Sequence, residues 1–349
     1  MSLTEKPIET PERVAFYDKI DKTSMTPLWT VLSNIITPEP KSGCLPHLWN
    51  FAQAKSYLLE SGRLISAKEA ERRVLILENP GLRGQSRITT SLYAGLQLVM
   101  PGEVAPAHKH SQSALRFVLD GAGAHTAVDG ERTQMHFGDF VITPPGAWHD
   151  HGNKSDEPMI WLDGLDVPMV SLFDASFAEE HPKDEQPIYR AAGDALARYG
   201  ANMMPVDFAA RKKSSPIFNY PYERSRAALE TMRKQEEWDP CHGLKLRYVN
   251  PVDGGFAMPT IATFLQLLPK GFSTSAYRST DATVFVVAEG SGSSTIDGQV
   301  FEWGPKDIFV APSWKWISHT PHNDAVIFSY SDRSAQDKLG LWREDRGNH

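Results

Sequence analysis

The chain has 349 residues, enough for two domains at roughly 150 residues each. Apolar residues make up 41% and charged residues 23%, which excludes a disordered chain, and no apolar run approaches the roughly 20 residues that span a bilayer. With 36 Lys and Arg against 43 Asp and Glu the net charge is −7 and no basic stripe forms, so neither nucleic acid nor membrane is an expected partner.

The opening MSLTEKPIETPERVAFYDKID mixes both charge signs and lacks the basic-then-apolar layout of a signal peptide. Residues 1–69 read as an irregular arm followed by helix. Pro38, Pro40 and Pro46 keep their stretch extended, while Asn50 to Arg73 has helix-forming composition with Leu58, Leu59, Leu64 and Ile65 spaced for one buried stripe. From Val74 the texture changes to short apolar runs between Gly, Pro and Asp-Gly, as in VLIL, SLYAGLQLVM, LRFVLDG and DFVITPP, and strands at this spacing predict a sandwich or barrel over 70–165. A polar stretch over 166–242 carries the helix-like AGDALARYG and RSRAALETMRKQ. The β texture then returns over 243–335 with LKLRYV, IATFLQLL, TVFVVAEG and DIFVAP, before a tail at 336–349. Cys44 and Cys241 are too few for a disulfide framework or a cysteine-built zinc site, so a reducing, cytoplasmic setting is expected.

The two β regions are copies. Gln97, Gly102 and Gly121 recur 169 positions on as Gln266, Gly271 and Gly290; Asp139, Pro144, Trp148 and His151 recur 168 on as Asp307, Pro312, Trp316 and His319. A near-constant offset means tandem duplication of one barrel, and the predicted class is all-β.

The chemistry sits in the first copy. Side chains two apart on a strand share a face, so His108 and His110 in GEVAPAHKHSQSALRFVLDG project together, and GDFVITPPGAWHDHGN brings His149 from an adjacent strand. Three imidazoles around one point suit a metal ion. In the second copy Tyr277, Ser279 and Ile317 take their places, so no metal is expected there. His125 and His136 are placed on turns or outward faces and given no role.

These two stretches resemble the paired motifs of the cupin superfamily: Gly, five residues, His-x-His, then a later Gly; and Gly, five residues, Pro-x-Gly-x-x-His, then Asn. One position departs, because Ala114 stands where most cupins carry a glutamate ligand. That departure, with SQSALRF, HDHGN, IWLDGLD and the duplicated layout, resembles the bicupin gentisate 1,2-dioxygenase family and its salicylate and 1-hydroxy-2-naphthoate relatives. The resemblance implies two tandem double-stranded β-helix barrels and one Fe(II) per chain, in the N-terminal barrel only. It implies dioxygen and a small aromatic hydroxy acid as partners, maleylpyruvate as product, and a homo-oligomer, commonly a tetramer.

Charge argues the same way. The usual non-haem iron triad has one carboxylate. Three neutral imidazoles leave the full metal charge unbalanced, which a doubly ionised ortho-hydroxy carboxylate would offset. Arg116 is even-numbered from His110 and placed to face the interior, where it would meet a substrate carboxylate; an ion pair with a protein acid is the competing reading. The copy has Phe285 there. His151 is placed as a base or donor to the substrate hydroxyl, oriented by Asp163, although His319 persists in the metal-free copy. Gln97, Arg72 and Trp148 complete the expected substrate contacts, with core packing the competing role for Trp148 and a solvated helix end for Arg72. Salicylate or 1-hydroxy-2-naphthoate is the near alternative as substrate. A zinc or manganese isomerase or lyase, and a non-catalytic binding bicupin, are the remoter ones.

Overall fold

The computed structural model describes residues 8–209, 212–234 and 237–347. Residues up to Lys41 form one compact unit and Ser42 onward a second. The first unit holds two helices, Pro11–Asp21 and Leu28–Ile35. The former starts on Thr10, whose hydroxyl caps the Arg13 N–H, and neither helix buries a residue.

The second unit is mostly antiparallel sheet. It begins with β1 (His47–Trp49) and a helix at Phe51–Leu64 that buries Phe51 and Leu58, while Leu64 and Ile65 stay exposed because the helix ends there. The first barrel comprises β2 (Val74–Ile76), β3 (Tyr93–Val99), β4 (Val104–His110), β5 (Ala114–Asp120), β6 (Ala124–Val128), β7 (Glu131–Gln134), β8 (Phe140–Thr143), β9 (His149–Asn153) and β10 (Met159–Leu165). Then come β11 (Ala178–Glu180), a helix at Asp194–Tyr199, β12 (Asn219–Tyr220) and a helix at Tyr222–Met232. The second barrel follows as β13 (Leu244–Arg247), β14 (Ala262–Leu268), β15 (Arg278–Ser279), β16 (Thr283–Glu289), β17 (Gly292–Ile296), β18 (Gln299–Trp303), β19 (Ile308–Ala311), β20 (Ile317–Pro321) and β21 (Ala325–Ser331), closed by β22 (Glu344–Asp345).

Sheet order confirms the duplication strand for strand. One barrel has β12-β8-β5-β10-β3-β2 and the other β1-β19-β16-β21-β14-β13. The opposing sheets are β11-β4-β9-β6-β7 and β18-β17-β20, the latter reaching β15 and β22 through the Tyr277–Ile317 pairing. The copies therefore differ most at β4, seven residues long, whose counterpart β15 has two.

The repeat also starts earlier than the sequence pattern suggests. Each copy opens with a short strand and a helix, and the strands are exchanged. Trp49 in β1 pairs with Ile308 of the second barrel, while Tyr220 in β12 pairs with Phe140 of the first. The helices are anchored alike, Phe51 N–H donating to Asp307 (2.8 Å) and Tyr222 N–H to the equivalent Asp139 (3.0 Å). A second reciprocal clasp lies between the barrels, where Thr260 donates to Asp166 (2.5 Å) and its counterpart Ser91 to Asp332 (2.7 Å).

One continuous core joins the barrels. Phe117 stacks on Phe328 at 4.2 Å, and the Tyr330 hydroxyl donates to the Tyr93 carbonyl (3.2 Å). Gly164 permits this approach, since a Cβ there would lie 2.9 Å from the Tyr330 ring. No helix among the described residues is long and apolar enough to cross a membrane.

Candidate metal centre

His108 lies opposite His149 in the β4–β9 pairing, and His110 follows two residues on. The ring centroids are 4.1 Å apart for His108–His149, 4.9 Å for His110–His149 and 5.3 Å for His108–His110. One nitrogen from each lies within 4.8 Å of the other two, and no carboxylate joins this cluster among the described residues. Ala114 is buried at the head of β5, where it adds no charge.

Local hydrogen bonds set the tautomer of two of the rings. Nδ1 of His110 donates to the Gln112 carbonyl (3.0 Å) and that of His149 to the Ala147 carbonyl (3.0 Å), whereas Nδ1 of His108 lies 3.2 Å from the Pro106 carbonyl with Arg72 Nη2 also against it. A proton held on Nδ1 leaves the Nε2 lone pair for a metal. Nε2 of His149 is buried without a partner, as a waiting ligand atom should be. Burial and neighbouring guanidiniums lower the pKa of His108 to about 3 and of His110 to about 4, and hold His149 well below its usual range. The rings are therefore neutral and fit a divalent cation.

The facing sheet supplies the remaining polar groups. Arg116 is on β5 and not, as its spacing from His110 suggests, on the histidine strand; it reaches the interior from across the barrel. It is buried, donates to Thr143 Oγ1 (2.7 Å) and has Nε 3.4 Å from Asp163 Oδ1, its cross-strand neighbour. The protein acid expected as a competing partner is thus present. Asp163 also accepts from Trp161 Nε1 (3.1 Å), and burial raises its pKa to about 6 against the pull of Arg116.

Asp163 consequently does not orient His151, and that expectation is corrected: its Oδ1 is engaged by Arg116 and Trp161, and neither His151 nitrogen has a hydrogen-bond partner. His151 is buried against the Trp161 ring (5.4 Å), 5.8 Å from the His149 ring, with both nitrogens unpartnered. Gln97 is opposite Trp161 on β3 and shares its face. Arg72 does reach the site, donating to the Pro106 carbonyl (2.5 Å) while its Nη2 lies against His108 Nδ1.

Trp148 is elsewhere. It alternates away from His149, packing against His181 (4.9 Å) and Lys109 (4.8 Å) on the outer face of the barrel, so its expected substrate contact is withdrawn. His125 points outward as expected but is covered, near Asp150. Sequence reading missed Tyr93, whose ring approaches Gly95 and whose hydroxyl senses Asp163. The period-2 series Tyr93, Gly95, Gln97 was the available signal.

Two six-stranded sheets of matching order and a three-imidazole cluster in one barrel define a duplicated cupin with a candidate metal site. A model of the cupin domain matches residues 95–166. Over 346 residues the chain is 67% identical to gentisate 1,2 dioxygenase 1 of Aquipseudomonas alcaligenes, covering 99% of this chain and 100% of that one. It is 33% identical to a salicylate 1,2-dioxygenase of Pseudoaminobacter salicylatoxidans whose crystal structure contains gentisate, with a TM-score of 0.93 and coverage of 100% and 98%. A 1-hydroxy-2-naphthoate 1,2-dioxygenase of Nocardioides shares 33% identity over 311 residues, 88% of this chain and 80% of that one. The chain belongs to the gentisate 1,2-dioxygenase family of bicupins.

Proposed function

We propose that this protein cleaves the ring of gentisate with dioxygen to give maleylpyruvate, using one Fe(II) held by His108, His110 and His149. The observation that carries the reading is the all-imidazole cluster flanked by Arg72 and Arg116, in a chain with 67% identity to a gentisate dioxygenase. Ferrous iron would supply the electron relay from ring to dioxygen.

The protein's own groups do the rest. Arg116, braced by Asp163 and Thr143, presents its guanidinium to the substrate carboxylate. Arg72 adds a second positive charge beside His108. With Asp163 ionised, the two arginines leave one excess positive charge in the pocket, to which a divalent ion on the three neutral imidazoles would add two, a balance that favours a dianion. His151 has free nitrogens and takes the position for holding the proton of the 2-hydroxyl.

Cytoplasmic residence accords with two free, buried cysteines, and a homotetramer with the family resemblance. The decisive experiment is anaerobic reconstitution with ferrous iron, followed by oxygen uptake with gentisate, salicylate and 1-hydroxy-2-naphthoate. Gentisate should be turned over fastest. No uptake with any of the three, at full iron occupancy, would overturn the reading.

A further inference from the structure

The second barrel lacks the imidazoles but is not filled at the corresponding mouth. Tyr277, Ser279 and Thr283, at the positions of His108, His110 and Ala114, line a cavity of about 420 Å³ together with Phe264 and Trp342. Most charged groups around it already have a hydrogen-bond partner. Arg346 holds Asp239 and Glu344 at 2.7 Å each, Trp342 Nε1 donates to Asp281 (2.9 Å), and His242 Nε2 donates to Glu344 (3.2 Å).

Lys245 is the exception. Its ammonium lies over the Phe264 ring at 4.8 Å, inside the same lining, and among the described residues it makes neither a hydrogen bond nor an ion pair. Lys245 pairs with Gln266 as Val74 pairs with Gln97, so the two are structural equivalents. The copy that has Phe285 in place of Arg116 thus carries a cation elsewhere on the same sheet, on β13 at its far edge. An unmatched ammonium in a desolvated cavity costs free energy until an anion meets it. Its other wall is aromatic, and Lys245 is the one lysine of the lining, its ammonium donors open to a carboxylate.

We propose that this cavity is a second ligand site, for a small aromatic monocarboxylate, with its carboxylate on Lys245 and its ring among Phe264, Tyr277 and Trp342. The site is independent of the ring-cleavage reading, since it shares no residue with the metal centre.

The test is ¹⁹F NMR of 4-fluorobenzoate added to the ferrous holoenzyme under argon; without an ortho hydroxyl this probe cannot chelate the metal as the substrate would. One bound resonance is expected that persists in His110→Ala, survives in Lys245→Arg, and weakens at least about tenfold in Lys245→Met. Ser279→Phe, which fills the cavity, should abolish it. Gentisate turnover without the probe should be unchanged in Lys245→Met. The proposal is overturned by absence of a bound resonance up to about 10 mM probe, by one indifferent to both Lys245→Met and Ser279→Phe, or by one lost in His110→Ala. Melting temperatures check that each variant is folded, and Ser279→Phe keeps the question answerable should Lys245→Met not fold.

Discussion

The same histidine serves two purposes in the two barrels. His319 is buried with Nδ1 on Ser294 Oγ (2.7 Å), and Ser294 in turn accepts from Trp303 Nε1 (2.9 Å). In the first barrel Thr126 and Met135 stand at those two positions, and the Thr126 hydroxyl turns instead to the Asp150 carbonyl (3.4 Å), so His151 is left without a partner. Deeper in the second interior Phe285 stacks on Phe309 at 4.8 Å, where the first has Arg116 and Val141. Persistence of a residue across a duplication is therefore a poor guide to its role. What surrounds it decides whether it is a structural hydrogen-bond partner or a group kept free for substrate.

The contrast is broken most severely at the metal cluster. His108→Ala, His110→Ala or His149→Ala should eliminate stoichiometric iron, read by atomic absorption, and all oxygen uptake, whereas Tyr277→Phe in the other barrel should keep both. Next in size is Arg116→Met. It removes the substrate's cation and strands a buried carboxylate, so kcat/KM should fall roughly 10²-fold or more and stability by about 3–5 kcal/mol. Adding Asp163→Asn should recover stability but not turnover.

The His151–His319 difference can be tested directly. His151→Gln should lower kcat by about 10²-fold or more with little change in melting temperature, because no hydrogen bond is lost. Ser294→Ala should do the reverse, costing about 1–3 kcal/mol through two stranded buried groups and leaving kcat intact. Equal effects on activity would erase the distinction.

An effect confined to a narrow pH window concerns the clasp between barrels. Burial raises the Asp332 pKa from 3.8 to about 6. The native state therefore binds this proton more tightly than the unfolded chain does. The resulting stabilisation, about 3 kcal/mol at most, is complete below pH 4 and lost as pH rises through 6. In Asp332→Asn, denaturant unfolding across that window should lose this part of the pH slope.

Much of this architecture was legible before any coordinates. The near-constant offset between Gln97 and Gln266 or His151 and His319 revealed two barrels, and strand alternation placed His108 with His110. Alternation also argued against Trp148, which is odd against His149, yet the motif's company drew it into the site. Spacing alone places Arg116 on the histidine strand, because nothing in SQSALRF marks where β4 ends and β5 begins. Its pairing with Asp163 joins residues 47 apart in the chain across neighbouring strands, and no local pattern encodes that register.

By itself the sequence determined the repeat, the three imidazoles and the missing carboxylate, since each depends on short-range spacing and on which side chain a position carries. Only the tertiary structure decided the exchange of β1 and β12 between barrels, the partner of Asp163, the freedom of His151 and the isolation of Lys245. Those depend on which distant segments compete for one buried carboxylate or hydroxyl, and that competition is settled by packing.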